Sequence, residues 1–245
     1  MPSLSQVDTA YLSIREQIES GLIRPGQPLS RRKLAGDFGV SPAVVQMALA
    51  QLDREGITES RARSGTFVRE LTAEEFLNLC DVRELVEPYA ASLAAGRITS
   101  EQLGVLWESC RRYQDVVAGG PASDRFSDLW FHRCQRRREE MLFHGTILEA
   151  SGNPILANLI STLRLLSQVG PQLIFSNDHD NENSPLVISC EHEGIVAALE
   201  SRDADLARER MLNHIRGARI LVQQSDSGSV KGERRPGLSK PSRDA

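Results

Sequence analysis

The segment from Tyr11 to Val68 constrains the fold of this chain more than any other part of its sequence. It contains a helix with an apolar face, a Pro25-Gly26 turn, two short helices separated by Gly39, and a small basic hairpin. Ser30 and Ser41 precede the second and third helices, where a serine side chain commonly caps a helix. This order predicts a winged helix-turn-helix, in which one helix enters the DNA major groove and the hairpin follows the DNA backbone.

The third predicted helix of this segment has one face for the core and one for DNA. Apolar residues recur at helical spacing from Val45 to Leu52, so this face is predicted to be buried. The opposite face carries Ala43 and Gln46, and Ser41 stands at the helix start. We predict that these three residues lie at the bases, where glutamine prefers adenine and alanine can only pack on a thymine methyl group.

Basic residues are concentrated in the same segment, although the chain as a whole has a net charge of −4. Residues 24–69 hold eight Lys/Arg against four Asp/Glu, so the rest of the chain is strongly acidic. A basic module on an acidic body is typical of a DNA-binding head joined to a domain with another task. The remaining predicted DNA contacts, mostly to phosphates, are Arg31, Arg32, Lys33, Arg61, Arg63, Gly65 and Thr66.

Composition argues against a membrane protein and against a disulfide-bonded one. No apolar run approaches the roughly 18 residues that a bilayer-spanning helix needs, so no membrane association is predicted. The four cysteines form no C-x-x-C pair, so neither a disulfide framework nor a zinc finger is indicated. A reducing cytoplasm is therefore the expected location.

From Leu71 onward the sequence shows repeated helical spacing of apolar residues and no convincing strand, which predicts a bundle of about six helices. The predicted breaks lie at Gly96, Gly119–Pro121, Ser151–Pro154, Gly170-Pro171 and Ser176–Pro185. The predicted fold class is mainly α, with a winged helix-turn-helix and its small β-hairpin at residues 1–70. An all-α domain for effector binding and dimerisation follows at 71–223. A tail at 224–245, rich in Ser, Gly and basic residues, is predicted to be disordered.

Four side chains of the helical region form a candidate metal site. Glu140 and His144 are four residues apart and share one helix face, while His192 and His214 lie on the last two predicted helices. Because those two helices should be antiparallel neighbours, the four side chains can meet. One carboxylate and three imidazoles suit a divalent transition metal. On spacing alone, hydrogen-bonded core histidines are the favoured reading of these residues.

Asp128 and His132 show the same spacing and are a rival pair. They precede Glu140 and His144 by twelve residues, which is roughly 120° around one continuous helix, so both pairs cannot share a face. We therefore expect His132, like His179, to be an ordinary structural or surface residue.

The residues of the head carry a specific resemblance. The segment has Pro25-Gly26, Leu34-Ala35, Gly39–Ser41, Ala48-Leu49, Leu52, Glu55-Gly56 and Gly65–Val68. It resembles the GntR family of bacterial transcription regulators, which shows this pattern across the whole head. The family usually has arginine directly after the serine at position 41 and again four residues later. Here Pro42 and Gln46 stand there, which indicates a half-site that depends less on guanine.

The helical region is similar to the FCD effector domain of the FadR branch of that family. The resemblance rests on Phe143-His144, Ala150–Pro154, Glu191-His192, Asp203…His214 and the Arg83…Glu87 helix. It implies that Glu140, at a position where metal-binding members have aspartate, holds zinc, nickel or manganese together with His144, His192 and His214. It also implies that Arg83 contacts an organic-acid effector. Asn153 is a further candidate for that contact, although a role as a turn or helix-cap residue is favoured for it. For Arg83, a salt bridge with Glu87 is an equal alternative.

Together these resemblances imply a homodimeric, ligand-responsive transcription factor that binds double-stranded operator DNA. Repression is the default expectation, the effector is a small carboxylate, and no enzymatic activity is expected. Two alternatives stay open. One is a regulator with a metal-free pocket for a larger apolar effector. The other is a metal-dependent hydrolase, because a metal ion with open positions can activate water.

Overall fold

The computed structural model of the protein describes residues 4–123, 125–170 and 185–229. The head contains α1 (Gln6–Glu19), β1 (Pro28–Leu29), α2 (Arg31–Phe38), α3 (Pro42–Arg54), β2 (Thr58–Arg61) and β3 (Gly65–Val68). The body contains α4 (Ala73–Ala95), α5 (Ser100–Gly119), α6 (Phe126–Ala150), α7 (Pro154–Gln168), α8 (Pro185–Glu200) and α9 (Ala204–Ser229). The predicted mainly α fold, with a winged helix-turn-helix followed by a helical bundle, is confirmed.

The second and third helices begin at the two predicted serine caps. The Ser30 side chain accepts a hydrogen bond from the backbone N–H of Lys33, and Ser41 does the same for Val44. Each cap satisfies a backbone donor that the first helical turn leaves unpaired, which stabilises a helix by about 1 kcal/mol. Gly39 ends α2 in the left-handed region at φ 65°, a conformation that glycine adopts without the clash of a Cβ.

The head contains a three-stranded antiparallel sheet in which β3 is central. β2 pairs with β3 from Thr58 opposite Val68 to Arg61 opposite Gly65, which confirms the predicted hairpin. The strand β1 pairs with the other edge of β3 and was not predicted. Two residues are too few to show the alternation of polar and apolar side chains by which a strand is recognised.

The helices of the body end where the sequence predicts breaks. α4 stops before Gly96, α5 at Gly119 and α6 before Ser151, and α7 ends two residues before Gly170. Asn153 caps α7, because its side-chain oxygen accepts a hydrogen bond from the backbone N–H of Leu156. None of the described helices is both long enough and apolar enough to cross a bilayer.

The last helix is longer than predicted. α9 continues to Ser229 and so includes the first six residues of the tail at 224–245, whose disorder stays a prediction. Composition argued against helix there, but extending an existing helix adds one hydrogen bond per residue without the cost of a new nucleus. Residues 230–245 lie outside the described residues, and so does His179.

The head and the body share one hydrophobic core. Leu165 of α7 and Val169, which directly follows that helix, are fully buried in the same cluster as Ile14 and Ile18 of α1. The backbone N–H of Leu71, in the connection between head and body, donates to the carbonyl of Val169 at 2.8 Å. A second core inside the bundle contains Phe143, and it supports the histidines described below.

Candidate functional site

The structure brings Glu140, His144, His192 and His214 together inside the bundle. Each offers one ligand atom to the cluster, and these atoms lie within 4.8 Å of one another. Helix α6 supplies Glu140 and His144, while α8 and α9 supply one histidine each. The three imidazoles are buried, and the carboxylate side chain is one-fifth exposed. The antiparallel arrangement of the last two helices therefore places the histidines as the sequence predicts.

Three polar atoms of this cluster lack hydrogen-bond partners among the described residues. They are Oε1 of Glu140, Nε2 of His144 and Nε2 of His192, and all three are buried. The two nitrogens lie 3.6 and 3.3 Å from the nearer Glu140 oxygens, in geometries that are not hydrogen bonds. Buried polar atoms are rarely left unpaired. A carboxylate oxygen and imidazole nitrogens converging without partners are the donor set of a divalent transition metal, so these residues fit such an ion.

Aromatic packing holds the His192 ring in place. The rings of Phe143 and His192 stack with centroids 4.1 Å apart, and Tyr113 meets the histidine edge-on at 5.7 Å. Phe143 is buried in the bundle core and precedes His144 on α6. The same helix therefore provides both a metal-ligand candidate and the surface that orients another one.

Burial favours the neutral form of the His144 and His192 imidazoles. It lowers the pKa of His192 to about 3, and it lowers that of His144 well below its usual range, with help from the nearby Arg164 charge. Burial alone would raise the pKa of Glu140, but the facing imidazoles, His192 first, bring it well below the ordinary value. The cluster thus presents an ionised carboxylate on Glu140 and neutral rings on His144 and His192, which are the protonation states that bind metal ions.

A buried ion-pair network adjoins the cluster. Glu87 lies between two arginines, accepting from Nε of Arg83 at 2.6 Å and from Nη1 of Arg164 at 3.1 Å. All three side chains are almost completely buried. Burial opposes ionisation of Glu87, but the guanidiniums of Arg83 and Arg164 outweigh it and lower the pKa to about 2. Arg164 also approaches Glu140, with 3.7 Å between Nη2 and Oε2.

The two predicted effector residues have other partners in this structure. Arg83 is engaged by Glu87, as its alternative reading expects, and Asn153 caps α7. Their contact with an effector stays a prediction. Sequence reasoning missed Arg164, although it is the only charged residue of α7 and stands between apolar neighbours. The position of this single arginine between apolar residues of a helix could have indicated a buried ion pair.

The predicted DNA-reading surface of the head is exposed. Ala43, Gln46 and the three basic residues Arg31, Arg32 and Lys33 lie on the solvent side of α2 and α3. Nη1 of Arg31 donates to Oε1 of Gln46 at 2.9 Å. The two predicted DNA contacts therefore form one unit, in which the basic side chain orients the amide.

The hairpin of the head is shaped by its charged and turn residues. The Arg61 guanidinium lies 4.6 Å from the centroid of the Phe67 ring and pairs with Glu59. Arg63 and Gly65 form the turn with positive φ values of 62° and 103°, and the Thr66 hydroxyl lies 3.3 Å from that of Ser60. Arg61, Arg63 and Gly65 are exposed, and Thr66 is half-buried.

One face of α6 contacts the end of α1. Trp130 donates through Nε1 to the carbonyl of Gly21 at 3.0 Å. Arg137 donates through Nη2 to the carbonyls of Ile18, in the last turn of α1, and of Gln168, the last residue of α7. Gly21 has φ 80°, and a Cβ there would lie 2.5 Å from Sγ of Cys134. We call Trp130, Cys134 and Arg137 the α6 contact face, and it joins the body to the head.

The rival pair takes no part in the cluster. Nε2 of His132 lies 2.8 Å from the carbonyl oxygen of Val116, a contact between α6 and α5. Asp128 accepts a hydrogen bond from Ser123 in the preceding loop and pairs with Arg125. These contacts are structural, which is the role predicted for His132.

Comparison with known proteins agrees with this architecture. Residues 78–217 match the FCD domain, and residues 6–68 match the family of bacterial regulatory proteins called gntR. The chain belongs to the GntR family of transcriptional regulators and carries an FCD domain. This confirms the predicted family and places the chain among transcriptional regulators rather than enzymes, so the hydrolase alternative is wrong.

Relatives and solved structures match over most of the chain. The HTH-type transcriptional regulator YdhC of Bacillus subtilis is 24% identical over 83% of this chain and 85% of its own length. The HTH-type transcriptional repressor RspR of Escherichia coli is 25% identical, covering 87% of each chain. The structure of E. coli McbR/YncC superposes with a TM-score of 0.72 at 23% identity, covering 91% of this chain and 99% of the other.

Proposed function

We propose that this protein is a cytoplasmic repressor that binds operator DNA as a homodimer and responds to a small carboxylate at a bound divalent metal. The observation that carries the sensing part is the cluster of Glu140 and three histidines, in which Oε1 of Glu140 and Nε2 of His144 and His192 are buried without hydrogen-bond partners among the described residues. RspR and the galactonate operon repressor of E. coli, which is 22% identical over 87% of this chain and 95% of its own length, support repression.

A homodimer follows from how a single head can bind DNA. One α3 helix reads one half-site, so a pseudo-palindromic operator requires two heads related by two-fold symmetry. Ser41, Ala43 and Gln46 would face the bases from α3. The basic residues of α2 and the hairpin would contact phosphates, which contribute affinity without sequence preference.

Glu140, His144, His192 and His214 would hold the metal ion, with zinc, nickel and manganese as candidates. When bound, such an ion supplies a positive charge and open coordination positions for a carboxylate. Glu140 has a longer side chain than the aspartate that the family pattern has at this position. In this chain the buried Arg164 approaches its Oε2 at 3.7 Å, which favours one placement of that side chain.

Charge near the cluster favours an anionic effector. Arg83 and Arg164 are both buried, and Glu87 balances one of their two positive charges. Glu140 adds one negative charge, which a divalent cation would outweigh. Surplus positive charge in a buried site is costly unless an anion joins it. This balance supports a carboxylate as effector and makes Arg164, beside the predicted Arg83 and Asn153, a residue that can pair with it.

Helix α6 offers a route from this site to the head. Glu140 follows Arg137 by three residues and His144 follows it by seven, so ligands and contact face belong to one side of one helix. A displacement of α6 on effector binding would move the residues that hold Gly21 and Ile18 of the head. The effector shifts DNA affinity only as far as it binds the two arrangements differently.

Elemental analysis of the untagged protein tests the metal site. We expect about one divalent ion per chain in the wild type, and loss of the ion in His144→Ala and His214→Ala. His132→Ala is the matched control on α6 and should keep the ion, because that ring contacts Val116 outside the cluster. Absence of metal in the wild type after incubation with zinc, nickel and manganese would refute metal sensing and favour a metal-free pocket for a larger apolar effector.

DNA binding tests the regulatory part with the same proteins. Fluorescence anisotropy on a fragment selected from random double-stranded DNA should show an affinity that a panel of small carboxylates changes only in the metal-loaded wild type. If a carboxylate changes the DNA affinity of His144→Ala as much as that of the wild type, the effector binds independently of the metal ion, and sensing through the metal is refuted.

A further inference from the structure

A further carboxylate, that of Glu191, contacts the cluster without being one of its four candidate ligands. Oε2 of Glu191 lies 2.9 Å from Nδ1 of His214, joining α8 to α9. The two side chains are 26% and 8% exposed, so the contact is shielded from much of the solvent. Glu191 directly precedes His192 on α8. Two consecutive residues of α8 thus act on the cluster in different ways: His192 is a candidate ligand, and Glu191 contacts another candidate ligand, His214.

The contact determines which nitrogen of His214 is available. A ring nitrogen that donates its proton to a carboxylate cannot bind a cation at the same time, so Nδ1 is engaged and Nε2 is left for the ion. His144 and His192 likewise have Nε2 atoms without hydrogen-bond partners. An equivalent nitrogen on all three rings is then available to one centre.

Gly217 provides the space in which this carboxylate lies. It follows His214 by three residues on α9, and a Cβ at this position would lie 3.2 Å from Oε1 of Glu191. That distance is shorter than ordinary van der Waals contact between carbon and oxygen, so a side chain here would push the carboxylate aside. Glycine destabilises a helix interior relative to alanine, so its presence here has a local benefit to offset that cost.

We propose that Glu191 is a positioning residue for the metal site and that Gly217 makes room for it. The carboxylate holds His214 in the tautomer with a proton on Nδ1 and turns Nε2 towards the other ligands. Carboxylates that accept from a ligating histidine in this way typically raise metal affinity 10–100-fold. This proposal rests on the metal site proposed above.

Metal titration against a fluorescent chelator tests this role on the untagged, full-length protein without DNA or effector. We expect Glu191→Ala to bind zinc about 10–100-fold more weakly than the wild type. Glu191→Gln should lose less, because its amide oxygen can still accept from Nδ1. Gly217→Ala should weaken binding with Glu191 intact. Glu193→Gln is the matched control, since Glu193 lies on the same helix and bonds instead to Gln114 on α5.

A second readout separates positioning from general stability. Nitrogen NMR of the histidine rings should show the proton of His214 on Nδ1 in the wild type and in Glu193→Gln, and a mixture of tautomers in Glu191→Ala. If the wild type binds zinc and Glu191→Ala binds it equally well, only the positioning role is overturned. A proton on Nε2 of His214 in the wild type also overturns it. A wild type that binds no ion overturns both the metal site and the role of Glu191.

Discussion

Replacing Gly21 with alanine should destabilise the protein through its contact with α6. The residue has φ 80°, where a residue with a Cβ costs roughly 1–2 kcal/mol. The new Cβ would also lie 2.5 Å from Sγ of Cys134 and 3.5 Å from Trp130, and overpacking of this kind typically costs about 1–3 kcal/mol. Together these effects predict a loss of roughly 2–5 kcal/mol in the free energy of unfolding.

Two further variants separate the backbone cost from the steric cost. Gly39 has a similar φ of 65°, but nothing lies within 4 Å of a Cβ built on it, so Gly39→Ala should show only the backbone cost. Cys134→Ala removes the atom that the new methyl group meets. In a double-mutant cycle it should return about 1–3 kcal/mol to Gly21→Ala and nothing to Gly39→Ala.

Urea denaturation followed by circular dichroism, at one protein concentration for all variants, measures these differences. Equal losses for Gly21→Ala and Gly39→Ala, together with no rescue by Cys134→Ala, would show that α6 does not press against the end of α1 in solution. The route from the metal site to the head through the α6 contact face would then be refuted.

Three further predictions concern pH, the buried ion pair and DNA. Taking the metal-stripped protein from about pH 8 to pH 5 should cost about 2 kcal/mol through His192. The pKa of His192 falls from 6.5 in the unfolded chain to about 3 in the folded protein. The contribution of this residue to the free energy of unfolding is therefore complete above pH 6.5, and it is lost as the pH falls and the unfolded chain takes up the proton. His192→Gln should flatten that slope in urea titrations, and an unchanged slope contradicts the assignment. Glu87→Gln should cost about 3–5 kcal/mol because it leaves two buried guanidiniums without their countercharge. Glu84→Gln, in a peripheral ion pair, should cost under about 1 kcal/mol, and similar melting temperatures for the two would count against the buried network. Arg31→Ala should weaken binding to every DNA sequence and reduce by about 1 the slope of the logarithm of the binding constant against the logarithm of salt concentration. Gln46→Ala should instead change the preference at one base pair by about 1–3 kcal/mol. Anisotropy across salt concentrations and operator selection measure these effects; identical selected sequences for wild type and Gln46→Ala would remove Gln46 from base reading.

Much of the fold could be predicted because local signals agree with the tertiary structure. Ser30 and Ser41 both cap helices as expected, and Gly39 ends α2 in the conformation that its residue type favours. The strand β1 could not be predicted, since its two residues are strand only through pairing with β3. The end of α9 was also misplaced, because helix propagation prevailed over composition.

The candidate site was predictable in its ligands but not in its surroundings. Helical spacing and short connections are sufficient to bring His192 and His214 near Glu140. The ion pair between Arg164 and Glu87 joins residues 77 positions apart, and no sequence period links them. The contact of Glu191 with His214 depends on the rotation of α8 against α9, which a pattern of apolar residues determines only approximately.

The core shared by head and body has a consequence for hybrid regulators. Exchange of DNA-binding heads between related proteins assumes that a head is a self-contained unit. In this chain, Leu165 of α7 and the following Val169 complete the apolar interior around Ile14 and Ile18 of the head. A foreign head placed on this body would meet a surface shaped for another partner, and its stability would suffer before its DNA preference could be tested. We therefore expect a functional chimaera to require that α7 be exchanged together with the head.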